Sequence, residues 1–385
     1  MATMDVQCMA CHSAGEPLAP WSYPISIDPP EGHVDVMISH CGICGSDLHQ
    51  LKNAWGVACF PLVPGHEIVG EVVKLGPGVD KFKVGARVGI GVQRGNCGKC
   101  ANCKAKLEHI CPKITKTYAG PGKDKGGFAQ YIRYPAEWTF PVPDSLPSEY
   151  AAPLLCAGIT TFSPLKRYCK PGMAVGVVGV GGLGHLGIQF AKEMGCTVAA
   201  ISTGDSKREQ AMQLGASTFI VSKDADQMKA NVGTLDVILN TSSGIAGMDG
   251  YCSLLKPRGV MACVSLPEKD AANMTKMHLQ SLVITEKSLC GSYLGPKEDY
   301  AEMLTFAAKK KIWPMIEKMP YADVNKAVEK VEEGSVRYRM VLEMPHAAKM
   351  KPPSPTSDPP PAFPPWLLAG SVAAVVLLFA AAKRS

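Results

Sequence analysis

The chain has 385 residues, of which 46% are hydrophobic and 19% charged, and this suits a globular protein of two domains with sizeable cores. Its net charge of +6 is spread without a basic block, so nothing favours a nucleic-acid partner. Fifteen cysteines would suggest disulfides in a secreted protein, but those outside the motifs below lack framework spacing. Since no signal-peptide pattern opens the sequence, we expect a reducing compartment.

The first 150 residues are rich in short β-like runs separated by Gly and Pro. Examples are GEVVKLGPGV at 70–79 and KVGARVGIGV at 83–92, which predict a partly open β structure. The opening 17 residues, MATMDVQCMACHSAGEP, are expected to form a loose lead-in. They hold two cysteines and a histidine, too few ligands for a metal site.

Three candidate metal ligands are scattered in turns punctuated by Gly or Pro. Cys44 lies in CGICGSDLHQ, His66 lies beside Glu67 in PLVPGHEIVG, and Cys156 lies in AAPLLCAGIT. Two thiolates and one imidazole are what a catalytic zinc needs if its fourth position stays open. The alternative is ordinary packing, which would have to account for all three residues together.

Four cysteines are closely spaced in the glycine-rich loop RGNCGKCANCKAKLEHIC. They are Cys97, Cys100, Cys103 and Cys111. Four thiolates within one tight loop predict a closed, structural zinc site, which has no ligand position left for chemistry. Disulfides and an iron–sulfur cluster are the alternatives.

A dinucleotide-binding pattern follows the apolar run 175–178, which predicts a buried parallel strand. The next residues are GVGGLG, a GxGxxG pattern at the start of a helix that ends near Gly195, and a second strand is predicted over 197–201. Glycine lets the backbone approach a pyrophosphate, and the helix N-terminus supplies amide donors. The predicted cofactor contacts are Gly179, Gly181, Gly182, Leu183 and Gly184.

The end of the second strand indicates which nicotinamide cofactor is bound. NAD sites carry Asp or Glu here, whereas this chain has Ser202 and Thr203, followed by Lys207 and Arg208. Small hydroxyl groups leave room for a 2′-phosphate and the two cations can pair with it, so NADP(H) is predicted. The alternative is that both cations decorate a solvated helix face.

Strands alternate with helical segments from about residue 151 to 289, and this alternation predicts a doubly wound parallel sheet. Residues 290–345 contain two amphipathic helices, at about 298–310 and 325–334. They also contain a strand, YRMVLEM, that is expected to return to the first domain. The active cleft should lie between the domains, at the carboxyl ends of the parallel strands.

Together these motifs resemble the zinc-dependent medium-chain alcohol dehydrogenases, and among them the cinnamyl alcohol dehydrogenase group. The resemblance runs from about Pro24 to about Glu343. It implies an α/β fold with a GroES-like β-rich catalytic zinc domain over 1–150 and 290–345, and a Rossmann NADP-binding domain over 151–289. A homodimer formed through residues 280–295 is also implied, by analogy.

The resemblance implies two zinc ions per subunit. Cys44, His66 and Cys156 would bind the catalytic ion, with Glu67 as an occasional alternative ligand, and the four-cysteine loop would bind the structural ion. Asp47 would orient His66 from behind. This makes the GHE and CGICGSD segments parts of one site.

The resemblance also implies a proton path. Ser46 would hydrogen-bond the substrate oxygen, and His49 would pass the proton outward through the nicotinamide ribose. Ser46 could instead serve as a helix cap, a role that is compatible with the relay.

The substrate pocket implied by the resemblance includes Trp55, Lys116, Tyr293 and Leu294. Lys116 departs from the group, because many members present an aromatic or aliphatic wall at this position. A cation fits poorly against a phenylpropenyl ring unless it snorkels outward. Gly45 is a second departure, since the group often has His after the first cysteine ligand.

The function implied is a zinc-dependent NADP(H) alcohol dehydrogenase or aldehyde reductase that interconverts primary alcohols and aldehydes. The substrates would be of cinnamyl type or more broadly aromatic and aliphatic. The alternative is a membrane-tethered scaffold or cofactor-sensing module of the same fold with lost turnover. A polyol dehydrogenase is a weaker alternative, because those relatives usually lack a complete four-cysteine loop beside this cofactor segment.

The C-terminal part predicts attachment to a membrane. A proline-rich linker over 346–365 is too stiff and too poor in apolar residues to pack, and residues 366–382 are 17 residues without a charge. Seventeen helical residues span about 25 Å, the short end of what crosses a bilayer. We expect a single-pass tail anchor, with the enzyme facing the cytosol and the ER favoured. A buried core helix is the alternative.

Overall fold

The computed structural model describes residues 2–118, 124–242, 247–267 and 278–347. Within these ranges no helix is both long and apolar enough to cross a bilayer. The predicted tail anchor over 366–382 and most of the linker over 346–365 lie outside the described residues.

The strands are numbered in chain order. They are β1 Thr3–Ala10, β2 Ala19–Ser26, β3 His33–Ile43, β4 Glu67–Leu75, β5 Arg87–Ile90, β6 Gln93–Gly95, β7 Thr115–Lys116, β8 Tyr131–Pro135, β9 Thr139–Pro141, β10 Ala174–Val178, β11 Thr197–Ser202, β12 Thr218–Val221, β13 Leu235–Asn240, β14 Leu255–Cys263, β15 Ser288–Gly291, β16 Ile316–Pro320 and β17 Arg339–Glu343.

The α-helices are numbered in the same way. They are α1 Gly45–Leu51, α2 Ala101–Lys104, α3 Ser148–Pro153, α4 Ile159–Tyr168, α5 Gly184–Glu193, α6 Arg208–Gln213, α7 Ala225–Ala230, α8 Met248–Ser253, α9 Leu279–Ile284, α10 Lys297–Lys310 and α11 Val324–Glu332. One turn of π-helix, Leu154–Gly158, joins α3 to α4.

A six-stranded parallel sheet occupies the middle of the chain, in the order β12, β11, β10, β13, β14, β15. The predicted doubly wound sheet is therefore confirmed. The order reverses between β10 and β13, and ligands of such sheets bind in the crevice outside the strand ends at this point. Val178 ends β10 opposite Asn240, which ends β13, so the segments 179–184 and 241–242 border the crevice.

A second sheet joins the two ends of the described chain. Its order is β16, β17, β3, β4, β5, β9, and β8 also pairs with β3. All its pairs are antiparallel except that of β16 with β17. Since β17 pairs with β3, the prediction that YRMVLEM returns to the first domain is confirmed. The exact boundaries at 150/151 and 289/290 stay predictions.

The first 17 residues are not a loose lead-in, so that prediction was wrong. β1 and β2 form an antiparallel hairpin in full register from Thr3 opposite Ser26 to Ala10 opposite Ala19. Val6, Cys8 and Ala10 are buried at every second position, the period of a strand with one face on the core. The alternation was present in the sequence but is interrupted by polar residues and cysteines.

One continuous apolar core runs from the second sheet to the parallel sheet. It includes Val36 of β3, Leu155 of the π-helical turn, Phe162 of α4 and Val177 of β10. The helical run 148–168 therefore packs between the two sheets and fixes one to the other. This matters for the site, because Cys156 lies within that run.

Candidate active site

Asp47, in α1, lies at the centre of a hydrogen-bond network that joins the helix to more distant parts of the chain. Its fully buried carboxylate accepts bonds from the N–H of Cys44 at 2.8 Å, the N–H of Gly65 at 3.0 Å and the hydroxyl of Tyr118. Nδ1 of His66 lies 3.2 Å from the same carboxylate. With Nδ1 facing Asp47, the imidazole presents Nε2 to the side where Cys156 lies.

Cys44, His66, Glu67 and Cys156 meet in one cluster, and their ligand atoms all lie within 4.8 Å of one another. The two sulfur atoms are 3.9 Å apart, and Nε2 of His66 is 3.3 Å from Sγ of Cys156. Ligands about 2.3 Å from the centre of a tetrahedron are about 3.8 Å apart. The donor types and their separations therefore fit zinc.

The local structure around these residues differs partly from the prediction. Cys44 is the N-cap of α1 and Ser46 is its second helical residue, so the suggested cap role belongs to Cys44 and not to Ser46. His66 directly precedes β4. Cys156 lies in the π-helical turn, which Pro153 precedes and Gly158 ends, so the expected turn between Pro and Gly is part of a helical run. Such turns widen a helix and are frequent at functional sites.

Glu67 is held on the other side of the cluster by Arg339 of β17. The guanidinium donates to Oε1 of the fully buried carboxylate, while Oε2 has no hydrogen-bond partner among the described residues. Burial raises the pKa of Glu67 to about 7, although Arg339 opposes the shift. A Cβ at Gly42 would lie 2.0 Å from Oε2, so only glycine leaves room for this carboxylate.

The four-cysteine loop forms a compact second cluster. Sulfur separations are 3.5 Å for Cys100 and Cys103, 3.9 Å for Cys100 and Cys111, and 4.0 Å for Cys97 and Cys103. A disulfide needs about 2.0 Å, so the disulfide alternative does not fit. Backbone N–H groups of residues 97, 100 and 103 each lie 3.4 Å from a cysteine sulfur, an arrangement that stabilises thiolates.

The fingerprint turn after β10 has the shape that a pyrophosphate needs. Gly179 has φ of +87°, and a Cβ at Gly184 would lie 1.7 Å from the Gly179 carbonyl oxygen. A Cβ at Gly181 would meet no described atom within 4 Å, so the backbone there is open to a ligand. A cavity of about 260 Å³ adjoins the turn, lined by Gly179, Gly181, Gly182, Leu183, Ser202, Thr203 and Lys207 among others.

The two predicted cations differ in position. Lys207 lines this cavity, and its ammonium donates to the Val180 carbonyl at 2.8 Å. Arg208 is not among the residues that line it and instead pairs with Asp205. No carboxylate is among the described residues that line the cavity, which agrees with Ser202 and Thr203 standing where NAD sites carry an acid. Of the two predicted cations, only Lys207 lines the cavity.

A second cavity of about 300 Å³ opens onto the first cluster. Leu183 and Thr241 line both cavities, so the two lie side by side with these residues between them. The rings of His49 and Trp55 pack against each other with centroids 4.9 Å apart. The sequence-predicted residues that line this cavity are Cys44, Ser46, His49, Trp55, His66, Lys116, Cys156, Tyr293 and Leu294.

Sequence reasoning missed Tyr118 and Arg339 as parts of the site. Tyr118 donates to Asp47 and stacks on His66 with ring centroids 5.7 Å apart. Arg339 was visible as the only cation in the segment YRMVLEM, next to an apolar run, and an arginine buried in such a strand is usually paired. Its partner Glu67 lies 272 positions away, so no local pattern could have identified the pair.

Comparison with known proteins agrees with this architecture. The model for the alcohol dehydrogenase GroES-like domain matches residues 30–144, and the model for zinc-binding dehydrogenases matches residues 182–309. A protein of Fragaria ananassa named "Probable mannitol dehydrogenase" is 44% identical over 83% of this chain and 90% of its own length.

Two solved structures are similar along nearly their whole length. Cinnamyl alcohol dehydrogenase SbCAD4 from Sorghum bicolor is 38% identical with a TM-score of 0.83, covering 91% of this chain and 99% of that one. A cinnamyl alcohol dehydrogenase from Helicobacter pylori complexed with NADP(H) is 30% identical with a TM-score of 0.81, covering 89% and 99%.

The site and the two sheets define a zinc-type medium-chain dehydrogenase fold, with a GroES-like domain and a Rossmann-type domain. The chain belongs to the zinc-type medium-chain alcohol dehydrogenases, in the cinnamyl alcohol dehydrogenase group. It is an alcohol dehydrogenase, an oxidoreductase, as the sequence motifs predicted.

Proposed function

We propose that this chain is a zinc-dependent, NADP(H)-linked dehydrogenase that interconverts primary alcohols and aldehydes. The observation that carries the proposal is the adjacency of two cavities. One is lined by the thiol and imidazole ligands and the other by the fingerprint turn, and Leu183 and Thr241 line both. A nicotinamide ring extending from the fingerprint cavity past these two residues would lie beside a carbonyl held at the ligand cluster.

Cys44, His66 and Cys156 would hold the catalytic ion, and Glu67 is near enough to exchange as a ligand. When bound, zinc supplies Lewis-acid polarisation of the substrate oxygen, and NADP(H) supplies or accepts the hydride. Asp47 fixes the tautomer and orientation of His66. Tyr118 restrains Asp47 in turn.

Ser46 and His49 would move the proton. Both side chains line the cavity beside the ligands, one helical turn apart in α1, so a proton can pass along one face of the helix. In the reduction direction Ser46 donates to the substrate oxygen as hydride reaches the carbonyl carbon. In the oxidation direction the same residues carry the proton outward.

The cofactor preference rests on the end of β11. Ser202 and Thr203 carry no charge that would repel a 2′-phosphate, and the Lys207 ammonium lies in the same cavity. The NADP(H)-bound relative from Helicobacter pylori supports the same choice. The four-cysteine loop would hold a second, structural zinc ion that takes no part in the reaction.

The full-length enzyme tests this proposal directly. Metal analysis and the rate of NADPH oxidation, compared with that of NADH, would be measured with a panel of aromatic and aliphatic aldehydes. We expect bound zinc and faster turnover with NADPH. Stoichiometric zinc with no turnover of any aldehyde or alcohol would reject the proposal in favour of the scaffold alternative.

A polyol substrate is a second candidate, because the strawberry relative carries the name of a mannitol dehydrogenase. This similarity weakens the sequence argument against a polyol dehydrogenase. Mannitol with NADP⁺ therefore belongs in the panel. Oxidation of mannitol at a kcat/KM above that of cinnamyl alcohol would make the polyol assignment the better one.

We also propose a homodimer formed through β15, the outer strand of the parallel sheet. Leu289 on β15 and Leu279, Val283 and Ile284 on α9 are apolar and exposed. Among the described residues β15 pairs only with β14, and a strand edge beside such a patch suits pairing with a second copy. Analytical ultracentrifugation should show a dimer, and Val283→Asp should shift it toward the monomer.

Attachment to a membrane through residues 366–382 is proposed on composition alone, with the catalytic domains facing the cytosol and the ER favoured. The test is fractionation of cells that express the full chain or a chain ending at residue 347. The full chain should sediment with membranes and resist carbonate extraction, whereas the shortened chain should not. Equal release of both chains would reject the anchor.

A further inference from the structure

Lys116 is a positively charged residue in the lining of the substrate cavity. It lies on β7, opposite Gln93 of β6, and lines the cavity together with Trp55 and Tyr293. The cofactor contacts are formed elsewhere, since Lys116 is not among the residues that line the fingerprint cavity. Lys116 therefore lies beside the substrate cavity rather than beside the pyrophosphate turn.

No carboxylate among the described residues pairs with the charge of Lys116, and the two cysteine ligands of the same cavity would be neutralised by the zinc ion that they hold. The Lys116 side chain forms no hydrogen bond or ion pair with the described residues, and no Asp or Glu is among the described residues that line the cavity. The other cation of the lining, Arg339, is already paired with Glu67. Lys116 thus provides the unbalanced positive charge of this part of the cleft.

The apolar lining around Lys116 strengthens its attraction for an anionic group of a substrate. Val92 and Leu266 line the same cavity, and partial burial lowers the pKa of the Lys116 ammonium, so the group is partly withdrawn from water. A hydrogen bond between an ammonium and an anion strengthens as the local dielectric falls. A substrate whose remote end carries no charge would instead leave the ammonium partly dehydrated and without a partner.

We propose that Lys116 makes this enzyme selective for aldehydes and alcohols that carry a carboxylate at the end remote from the reacting carbon. The inference rests on the proposed alcohol–aldehyde function and narrows its substrate class. Trp55 and Tyr293 would flank the aryl or alkenyl body of the substrate. Lys116 would pair with the carboxylate, and the ligand cluster would hold the carbonyl end.

The test compares two aldehydes of similar shape, 4-carboxybenzaldehyde and 4-methylbenzaldehyde, with the zinc-loaded full-length enzyme and NADPH. We expect kcat/KM to favour the carboxylate by about 10- to 100-fold, the range of one hydrogen bond to a charged group. Lys116→Met should abolish this preference, and Lys116→Glu should reverse it. Lys309→Met removes an exposed lysine on α10 and serves as the matched control, which should keep the wild-type ratio.

The ratio of kcat/KM for the two aldehydes distinguishes failure of this inference from failure of the dehydrogenase proposal. If wild type reduces 4-methylbenzaldehyde as well as or better than the carboxylate, this inference is rejected while the dehydrogenase proposal stands. If neither aldehyde nor any other is reduced, the dehydrogenase proposal itself fails. Should the variants not fold, the wild-type preference must still weaken as salt is raised from low to high concentration, and a salt-independent ratio counts against Lys116.

Discussion

Arg339 on β17 donates a hydrogen bond to the buried carboxylate of Glu67 on β4. The strand β3 lies between these two strands in the sheet. The pair brings a residue near the end of the described chain against the ligand cluster. Because both side chains are withdrawn from water, neither charge can be lost without leaving the other uncompensated.

Arg339→Met should lower the free energy of unfolding by about 3–5 kcal/mol, since the buried Glu67 must then either stay charged without a partner or take up a proton. Urea denaturation followed by fluorescence measures this change. Lys326→Met is the matched control, because it breaks an exposed ion pair with Asp323, and exposed pairs contribute less than about 1 kcal/mol. Equal losses in the two variants would show that the buried pair has no special role.

Asp47→Asn should reduce zinc affinity and kcat by about 10- to 100-fold, because the carboxylate that orients His66 is lost. Zinc retention in a chelator competition and kcat for an aldehyde would both be measured. Tyr118→Phe removes one donor to the same carboxylate and should have a smaller effect. Full zinc retention with Asp47→Asn would contradict the positioning role of this residue.

Metal analysis should find two zinc ions per chain, one for each cluster. Cys103→Ser should remove one ion and lower Tm, because a four-thiolate loop is folded by its metal. Cys59→Ser, at a cysteine outside both clusters, should keep both ions. Iron in place of zinc in the loop would support the iron–sulfur alternative.

Ser202→Asp should shift the cofactor preference toward NADH by about 10-fold or more, because a carboxylate at the end of β11 repels a 2′-phosphate and binds a 2′-hydroxyl. The ratio of kcat/KM for NADPH and NADH measures the shift. Lys207→Met should weaken NADPH more than NADH, since its ammonium lies in the same cavity. An unchanged ratio with Ser202→Asp would mean that this residue is not near the ribose.

Acid should destabilise the fold through His185. Its Nδ1 lies 2.9 Å from the Gly181 carbonyl, and Nε2 accepts the N–H of Met315 at 3.2 Å, so the ring is bonded as the neutral form. Burial lowers its pKa from 6.5 to about 3. The unfolded chain therefore binds the proton more readily, and stability is lost as pH falls from 6.5 toward 3.

The loss assigned to His185 is about 2 kcal/mol between about pH 7 and about pH 5. Urea denaturation at both values, for wild type and His185→Gln, isolates the contribution. The glutamine variant should show a shallower fall with acid, because it has no proton to take up. Identical pH slopes would show that His185 does not carry this linkage.

Local sequence patterns predicted the elements that depend on neighbours in the chain. The fingerprint turn after β10 was identified because glycine spacing and an apolar strand occur within a few residues of each other. The four-cysteine loop was recognised for the same reason, since its ligands lie within 15 residues. The hairpin of β1 and β2 was missed because polar residues hide its alternation.

The sequence by itself determined the chemistry available to this protein, namely thiolates, one imidazole, a glycine turn and a strand end without an acid. Only the tertiary structure decided which side chains face one another: Glu67 with Arg339, Tyr118 with Asp47, and Lys116 in a cavity whose described lining holds no carboxylate. Residue type limits what a side chain can bond, whereas partners distant in sequence meet only when sheet register and core packing bring their strands together.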